Sequence, residues 1–586
     1  MITATTGNRL TDASVITKKS LRLGLSTRRQ RKPVINPIDA TVTAGSSRQT
    51  MHAYTVNAVL FDFDGTLTQP GAIDFRAVKQ SIGCPPDQPI LEFIRSMRDD
   101  ARQAEANAVL HAMELEAARR SRPNGGVDAL VRFLRARQLP IGILTRNSRA
   151  SVMTALKQFS RLSIDDFDVV ITRDDPVQPK PHPAGVLLAA ERFQVDPQTV
   201  LVVGDFHFDI DAGRQAGALT ALLDEGHTDP EGEIACDFRV TSLSEIERIV
   251  RCGRPLPNGK FPNDLLEEFF GHLQHDERRF LIKPGIGEDT AAIDIAHQDT
   301  LVVTSDPITF VTDQIGTYSV LINANDIATS GAIPQWLMTT LLFPPDTTPS
   351  AVFEVMTDIN AACRHWGVTL CGGHTEITDA VQRPVVMGTL GAAMARQDLI
   401  DKRNMRPGDR VLLTKGVAVE GTAIIANAFA DRLLALGLTA AELEDCRRLV
   451  DQISILPEAA VARRMTNVTA MHDVTEGGIA AAIYELSCAG GHQLDIHLER
   501  IPVLPVTDRV CRLLDVAPLG LIGSGSLLMV CRPDTAEALM AAIEAEGIPV
   551  AWIGEVSAPG QGVRAHHNGE RVSWPEFEVD EIARLF

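Results

Sequence analysis

Four short, mostly apolar runs, Val56–Phe61, Ile141–Leu144, Val169–Ile171 and Val200–Val203, each stop at or one residue before a polar group, and stretches of helical periodicity separate them. Runs of this length between helical segments read as strands of a parallel sheet covered on both faces. In such sheets ligands gather beyond the carboxyl ends of the strands. Asp62 and Asp64 follow the first run, Thr145 and Asn147 the second, and Asp205 and Asp209 the last. Lys180 stands in the "QPKPHPAG" stretch behind the third. Charged groups converging on one rim make a site rather than a surface.

The first run sharpens the point. "VLFDFDGTLT", residues 59–68, sets two carboxylates one residue apart where the apolar stretch ends. Like charges this close repel, and burying either is costly unless something cationic lies between them. A strand ending in a turn explains Gly65 and one aspartate but not the pair. A Mg²⁺ ion and a phosphate explain both.

The chain's 586 residues are too many for one core and imply three or four folding units. Its 45% apolar and 22% charged content is that of an ordinary globular protein. No apolar run approaches the roughly 18 residues of a membrane span. Nine cysteines stand singly, with no CxxC, as reduced thiols do in a cytoplasm. The net charge of −19 argues against a general nucleic-acid partner. Residues 1–53 form a basic leader, with nine Lys/Arg against two acids in the first 50, and are expected to be disordered. Such a leader could be a transit peptide; the reading preferred is an over-extended start, with Met51 as the initiator.

"DFDGTLT", "ILTRN", "KPHP" and "GDFHFD" occur in the order and setting of the four motifs of the haloacid-dehalogenase (HAD) phosphatase superfamily, and residues 54–250 resemble its phosphoglycolate-phosphatase-like members. The resemblance implies a Rossmann-like parallel sheet with a small helical cap at about 69–125, for which residues 89–121 supply amphipathic helix. It implies Asp62 as the nucleophile that forms an aspartyl-phosphate and Asp64 as the acid and base. Thr145 should hydrogen-bond the phosphoryl group and Lys180 offset its charge. Mg²⁺ would be held by Asp62, Asp205 and the main-chain carbonyl of Asp64, with Asp209 a further ligand or a support. Taken singly, Thr145 could be a helix N-cap, Asp205 and Asp209 could cap the next helix, and Lys180 could be a solvated loop charge.

Residues 251–277 mix Pro, Gly and a short helical pattern, and read as a linker. A second regime follows: "IKPGIGEDTAAI", "VVTSDPITF", "INANDIATSGAIP", "CGGHTEIT" and "MHDVTEGGIAAAI". Glycines beside acids, read as loops between apolar runs, suit a polyphosphate with Mg²⁺. No Walker or Rossmann glycine motif accompanies them. In order, these segments resemble the AIR-synthase superfamily, which includes thiamine-monophosphate kinase, selenophosphate synthetase and HypE, with "HDVTEGG" leaning toward HypE. The resemblance implies a two-domain α/β module, 278–402 binding ATP and 403–586 completing it, and a homodimer. Carried over, Asp289, Asp306 and Asp326 would be Mg²⁺–ATP ligands, Gly285 and Gly287 would lie against the phosphates, and Gly372, Gly373 and Asp473 would complete the pocket. Asp326 could instead cap a helix opened by "IATSGA", and Asp306 could form a turn with Pro307. His374 and Glu376 could be catalytic or local hydrogen-bonding groups.

The sequence therefore predicts a cytoplasmic Mg²⁺-dependent phosphatase of small phosphate monoesters, fused to an ATP-binding module that phosphorylates or activates a small molecule. The alternative is a hydrogenase-maturation-like factor, or a nucleotide-gated scaffold that binds ATP without turnover. HypE carries its substrate group on a C-terminal cysteine. This sequence ends "PEFEVDEIARLF", and its last cysteine, Cys531, follows the apolar "SLLMV", so no chemistry on a protein thiol is expected.

Overall fold

A computed structural model describes residues 53–224, 234–257, 259–271, 273, 280–282, 292–296, 298–309 and 314–585. The first 52 residues of the expected leader, and the candidate residues Gly285, Gly287 and Asp289, lie outside the described residues.

The N-terminal sheet holds β1 (Ala58–Phe61), β2 (Ile141–Leu144), β3 (Val169–Ile171), β4 (Val200–Gly204), β5 (Leu219–Leu223) and β6 (Phe238–Val240). Its order is β3-β2-β1-β4-β5-β6, and every pairing is parallel. β5 and β6 extend the sheet beyond the four expected strands. β1 lies at its centre with all four side chains fully buried, as a continuous apolar run dictates.

Helices cover both faces. α4 (Val127–Ala136), α5 (Arg149–Leu156) and α8 (Leu243–Cys252) pack on one, and α6 (Ala184–Phe193) and α7 (His207–Ala216) on the other. Between β1 and β2 the chain leaves the sheet to form α1 (Phe75–Ile82), α2 (Ile90–Ser96) and α3 (Asp100–Arg120). These enclose their own small core around Val78, Ile94 and Leu110. The helix expected over 89–121 is broken at Met97–Asp99. The Asp99 carboxylate accepts the amides of Ala101 and Arg102, at 3.0 and 3.3 Å, and so starts a new helix.

The C-terminal region has two mixed sheets. The first contains β7 (Gly259–Lys260), β10 (Thr300–Ile308), β11 (Trp336–Phe343), β12 (Thr369–Ile377) and β13 (Val385–Met394), in the order β10-β13-β11-β12-β7. A separate ribbon pairs β8 (Phe280–Ile282) with β9 (Ala292–Ile293). Helices α10 (Ile315–Thr329) and α11 (Pro349–Trp366) pack on the first sheet, with α9 (Asn263–Phe270) at its edge. The second sheet has seven strands: β14 (Arg410–Thr414), β15 (Val468–Asp473), β16 (His492–His497), β17 (Leu527–Cys531), β18 (Val550–Pro559), β19 (Val563–His567) and β20 (Glu570–Val572). Among the described residues, no helix is long and apolar enough to cross a membrane.

The segment expected as a linker is structured. β7 pairs antiparallel with β12, and Phe261, Leu265 and Phe269 share a core with Cys252 and the first C-terminal sheet. Tyr54 fastens the same joint. Its hydroxyl donates to the Ile249 carbonyl at 3.1 Å, and its own carbonyl accepts Ser350 Oγ at 2.9 Å.

Candidate active site

The parallel sheet brings the expected N-terminal residues to one rim. Asp62 follows β1, Thr145 follows β2 and Asp205 follows β4, three neighbouring strands that end on the same side. One carboxylate oxygen from each of Asp62, Asp205 and Asp209 lies within 4.8 Å of the other two. Lys180 is buried and donates to Asp62, and its Nζ stands 2.5 Å from Asp209 Oδ1. The lysine is thus no solvated loop charge. Asp209 Oδ2 also accepts the amide of Phe206 at 3.2 Å, so this carboxylate both starts α7 and holds Lys180.

Electrostatics set the character of the rim. Burial, then crowding by the other aspartates against the pull of Lys180, holds Asp62 well above the usual carboxylate range. Asp205 is raised by burial and by Asp209. Burial alone would lower Lys180, but Asp209 and Asp62 lift it above its ordinary value, and it stays charged. Asp64 is pushed up to about 6 by burial, opposed by a hydrogen bond that Asn147 Nδ2 donates to Oδ2 at 2.5 Å. Three crowded carboxylates share one ammonium, which leaves negative charge for a further cation. Their donors are hard oxygens, so the residues fit a hard divalent cation.

Thr145 is buried, and its Oγ1 accepts the amide of Asn147 at 3.1 Å. The N-cap of α5 is Ser148 instead. Above the rim, a narrow recess between cap and sheet is lined by Phe63, Asp64, Ile73, Glu114, Ser121 and Asn147. Glu114 of α3 is buried there against Arg173, whose two terminal nitrogens stand 2.5 and 2.7 Å from its carboxylate. Arg146, Arg173 and Glu114 were not candidates from the sequence.

The C-terminal candidates sit in regular elements where loops were expected. Asp306 lies on β10, not in a turn with Pro307. Asp326 lies inside α10, and "IATSGA" closes that helix rather than opening one. Asp473 ends β15. Two of them nevertheless share a donor: Thr304 Oγ1 donates to Asp326 at 2.8 Å and to Asp306 at 3.3 Å, and Asp473 is near enough to Asp326 to act on it electrostatically. Burial, reinforced by Asp306 and Asp473, raises Asp326, and burial raises Asp473. Lys402 adjoins them, with Nζ 3.1 Å from His472 Nδ1, and His472 Nε2 is 3.1 Å from Glu485. Burial lowers Lys402 against the pull of Asp473, Glu485 and Asp326. No local sequence pattern marks Thr304, Lys402 or Glu485 for this place, whereas His472 stands inside "MHDVTEGG".

Gly372 and Gly373 lie on β12, three strands from β10, and are not gathered with the carboxylates. At Gly373 a Cβ would stand 2.1 Å from the Thr339 carbonyl, beside the bulge of β11 against β12, so close sheet packing explains this glycine. His374 and Glu376 share β12 and meet at 3.2 Å, half exposed.

Comparison with known proteins agrees with this division. Residues 56–217 match the haloacid dehalogenase-like hydrolase family, 287–393 the N-terminal domain of AIR synthase related proteins, and 406–566 their C-terminal domain. The Saccharomyces cerevisiae protein YOR131C, an uncharacterized hydrolase, is 32% identical over 201 residues, covering 33% of this chain and 91% of its own. The carbamoyl dehydratase HypE of Rhizobium leguminosarum bv. viciae is 28% identical over 305 residues, 49% of this chain and 83% of its own. The crystal structure of E. coli HypE is 24% identical, covers 55% of this chain and 98% of its own, and has a TM-score of 0.46.

Proposed function

Because this chain belongs to the haloacid dehalogenase-like hydrolases through residues 56–217 and carries both AIR synthase related domains behind them, we propose that it is a two-module enzyme. The first module is a Mg²⁺-dependent phosphatase of small phosphate monoesters. The second binds ATP and phosphorylates or activates a small molecule.

The grouping of Asp62, Asp205 and Asp209 around buried Lys180 carries the phosphatase reading. An Asp62 oxygen attacks phosphorus, the bond to the ester oxygen breaks, and Asp64 gives its proton to the departing alcohol. Asp62 then holds the phosphoryl group as an acyl phosphate. Asp64, now ionised, takes a proton from the water that attacks phosphorus and frees Asp62. A pKa of about 6 suits Asp64 to both halves near neutrality. Lys180 offsets the charge of Asp62 and of the phosphoryl oxygens, and the Thr145 hydroxyl donates to one of those oxygens. Mg²⁺ held by Asp62, Asp205 and the Asp64 carbonyl, with Asp209 beside them, would supply charge neutralisation at the phosphoryl group. The test is release of phosphate from p-nitrophenyl phosphate and a panel of monoesters. Asp62→Asn should lower it by about 10³-fold or more with the fold intact, and Asp64→Asn nearly as far. Wild-type rates in Asp62→Asn would refute the covalent route.

For the second module, the support is the Thr304 hydroxyl shared by Asp306 and Asp326, with Asp473 and Lys402 in the electrostatic field of Asp326. In this reading Asp289 joins Asp306 and Asp326 at Mg²⁺–ATP, and Gly285 and Gly287 lie against the phosphates. A homodimer is part of the reading. Leu301 and Val303 of β10, Met387 of β13 and Met338 of β11 are exposed on one face of the sheet, and a second copy would cover them. Calorimetry should find ATP binding only with Mg²⁺, weakened by Asp326→Ala. Steady-state ATP consumption would separate an enzyme from a scaffold. The HypE relatives favour, as a second reading, a maturation-factor-like role for this module. Nine cysteines standing singly along the sequence, with no CxxC, suit a reducing, cytoplasmic setting.

A further inference from the structure

Arg146 stands between two residues that face the rim. On one side is buried Thr145, and on the other Asn147, which holds Asp64. The Arg146 side chain does something else. One terminal nitrogen donates to the main-chain carbonyl of Lys180, and the other reaches Glu92 Oε2 on cap helix α2 at 2.5 Å. Its guanidinium carbon also lies 4.9 Å from the centre of the Phe208 ring, in the segment between Asp205 and Asp209. One side chain thus touches the cap, the loop of Lys180 and the first turn of α7, which carries Asp209.

The Lys180 loop has particular need of such a hold. Residues 179–183 read Pro-Lys-Pro-His-Pro, and three of these five have no amide hydrogen to donate. The loop is therefore fixed largely through its carbonyls: Arg146 takes that of Lys180, and Gln215 Nε2 takes that of Pro181 at 3.0 Å. A two-armed guanidinium is oriented by both of its partners, so Glu92 helps to set the arm that lies on Lys180.

The cap meets the rim through a second charge pair of different character. Arg173 and Glu114 are 15% and 4% exposed and joined by two hydrogen bonds, whereas Arg146 and Glu92 are 19% and 42% exposed and joined by one. Separating the first pair would strand a buried charge; separating the second exposes groups that water already reaches.

We propose that Arg146 is a positioning residue that makes the placement of Lys180 depend on the cap: Glu92 fixes the guanidinium, the guanidinium fixes the lysine loop, and the Glu92–Arg146 pair is the contact that opens when the cap lifts. This rests on the phosphatase reading for its catalytic consequence, but the mechanical coupling does not. When the pair opens, the second arm of Arg146 turns to water and the loop loses one of the two side-chain hydrogen bonds that its carbonyls accept. When the cap closes, Lys180 returns to its place between Asp62 and Asp209, and the site is complete only with substrate shut inside.

Hydrogen–deuterium exchange on the full chain tests the coupling without any need for turnover. Glu92→Gln, a change on the cap, should speed exchange in the peptide spanning 178–185, and Arg146→Lys should do the same because a lysine reaches only one partner. Unchanged exchange in that peptide for Glu92→Gln overturns the proposal. With p-nitrophenyl phosphate, each substitution should lower kcat about tenfold with KM changed less than about twofold, and the double variant should be about as slow as either single one. Losses that multiply to about a hundredfold would show two independent effects and overturn it as well. A failure of the phosphatase reading looks different: the wild type itself releases no phosphate, and the exchange measurement alone then decides.

Discussion

Gly65 leaves Asp205 its place: a Cβ at residue 65 would stand 2.0 Å from Asp205 Oδ2, and the backbone there has φ of +81°. The glycine three residues after Asp62 is thus required twice, for a left-handed turn and for room beside a carboxylate. Gly65→Ala should push Asp205 out of the group it forms with Asp62 and Asp209. The expected result is a rate on p-nitrophenyl phosphate lower by about a hundredfold, since displacing such a group by one ångström costs that much. A Mg²⁺ titration should show half-maximal activity at a higher concentration, and circular dichroism an unchanged fold.

Glu420, at the start of a helix in the C-terminal domain, is fully buried. Burial, against hydrogen bonds from Ser524, pushes its carboxyl up to about 7 from an ordinary 4.5. The native state therefore keeps a proton that the unfolded chain has already lost above pH 4.5. This contribution to stability is fully present below pH 4.5, declines as pH rises toward 7, and changes no further above it, a total of about 3 kcal/mol. Glu420→Gln removes the dependence. Urea unfolding at pH 5 and pH 8 should show the wild type losing stability relative to the variant across that interval; a constant difference would exclude the burial as described.

Association should depend on the outer face of β10. Leu301 and Val303 are 59% and 64% exposed in a strand whose alternate residues turn inward. Replacing both with glutamate places like charges opposite one another across a symmetric contact. Sedimentation velocity should then find monomers where the wild type sediments as a dimer. A monomeric wild type would remove the homodimer from the reading.

The thiols should be slow to react. Cys531, the last residue of β17, is fully buried, and desolvation pushes it up to about 12; Cys252, in the joint, rises to about 11 for the same reason. A thiol-specific reagent should label half-buried Cys488 and Cys236 well before either. After incubation with ATP and a carbamoyl donor, mass spectrometry should find no adduct on Cys531. An adduct there would restore a thiol-carrier role.

Much of the phosphatase rim could be read in advance because each of its groups stands next to the end of an apolar run, so local order encodes the meeting place. Arg146 with Glu92 and Arg173 with Glu114 are 54 and 59 residues apart in the chain, and no local pattern marks such partners. The same holds for Lys402 and His472, 70 residues apart. In the C-terminal half, small residues beside acids looked like loops, yet Asp306 and Asp326 lie in a strand and a helix. There glycine and alanine serve close packing between elements, and composition alone does not distinguish that use from a turn. The expected cap helix divides at Asp99 because its carboxylate caps the amides of Ala101 and Arg102, a local bond that helical composition on either side does not reveal.

The strand that β7 lends to the C-terminal sheet bears on how the two halves can be inherited and handled. Cys252 ends the last helix of the hydrolase yet sits in the core of its neighbour, and Tyr54, ahead of the first strand, is bonded to Ser350. A boundary drawn anywhere between 250 and 262 therefore cuts through packing. Either fragment made alone would expose a seam of aromatic side chains and aggregate more readily than the whole. Heat should melt the seam together with both halves, in one calorimetric peak. Loss of either gene segment would leave the survivor needing repair at its edge before it could stand by itself.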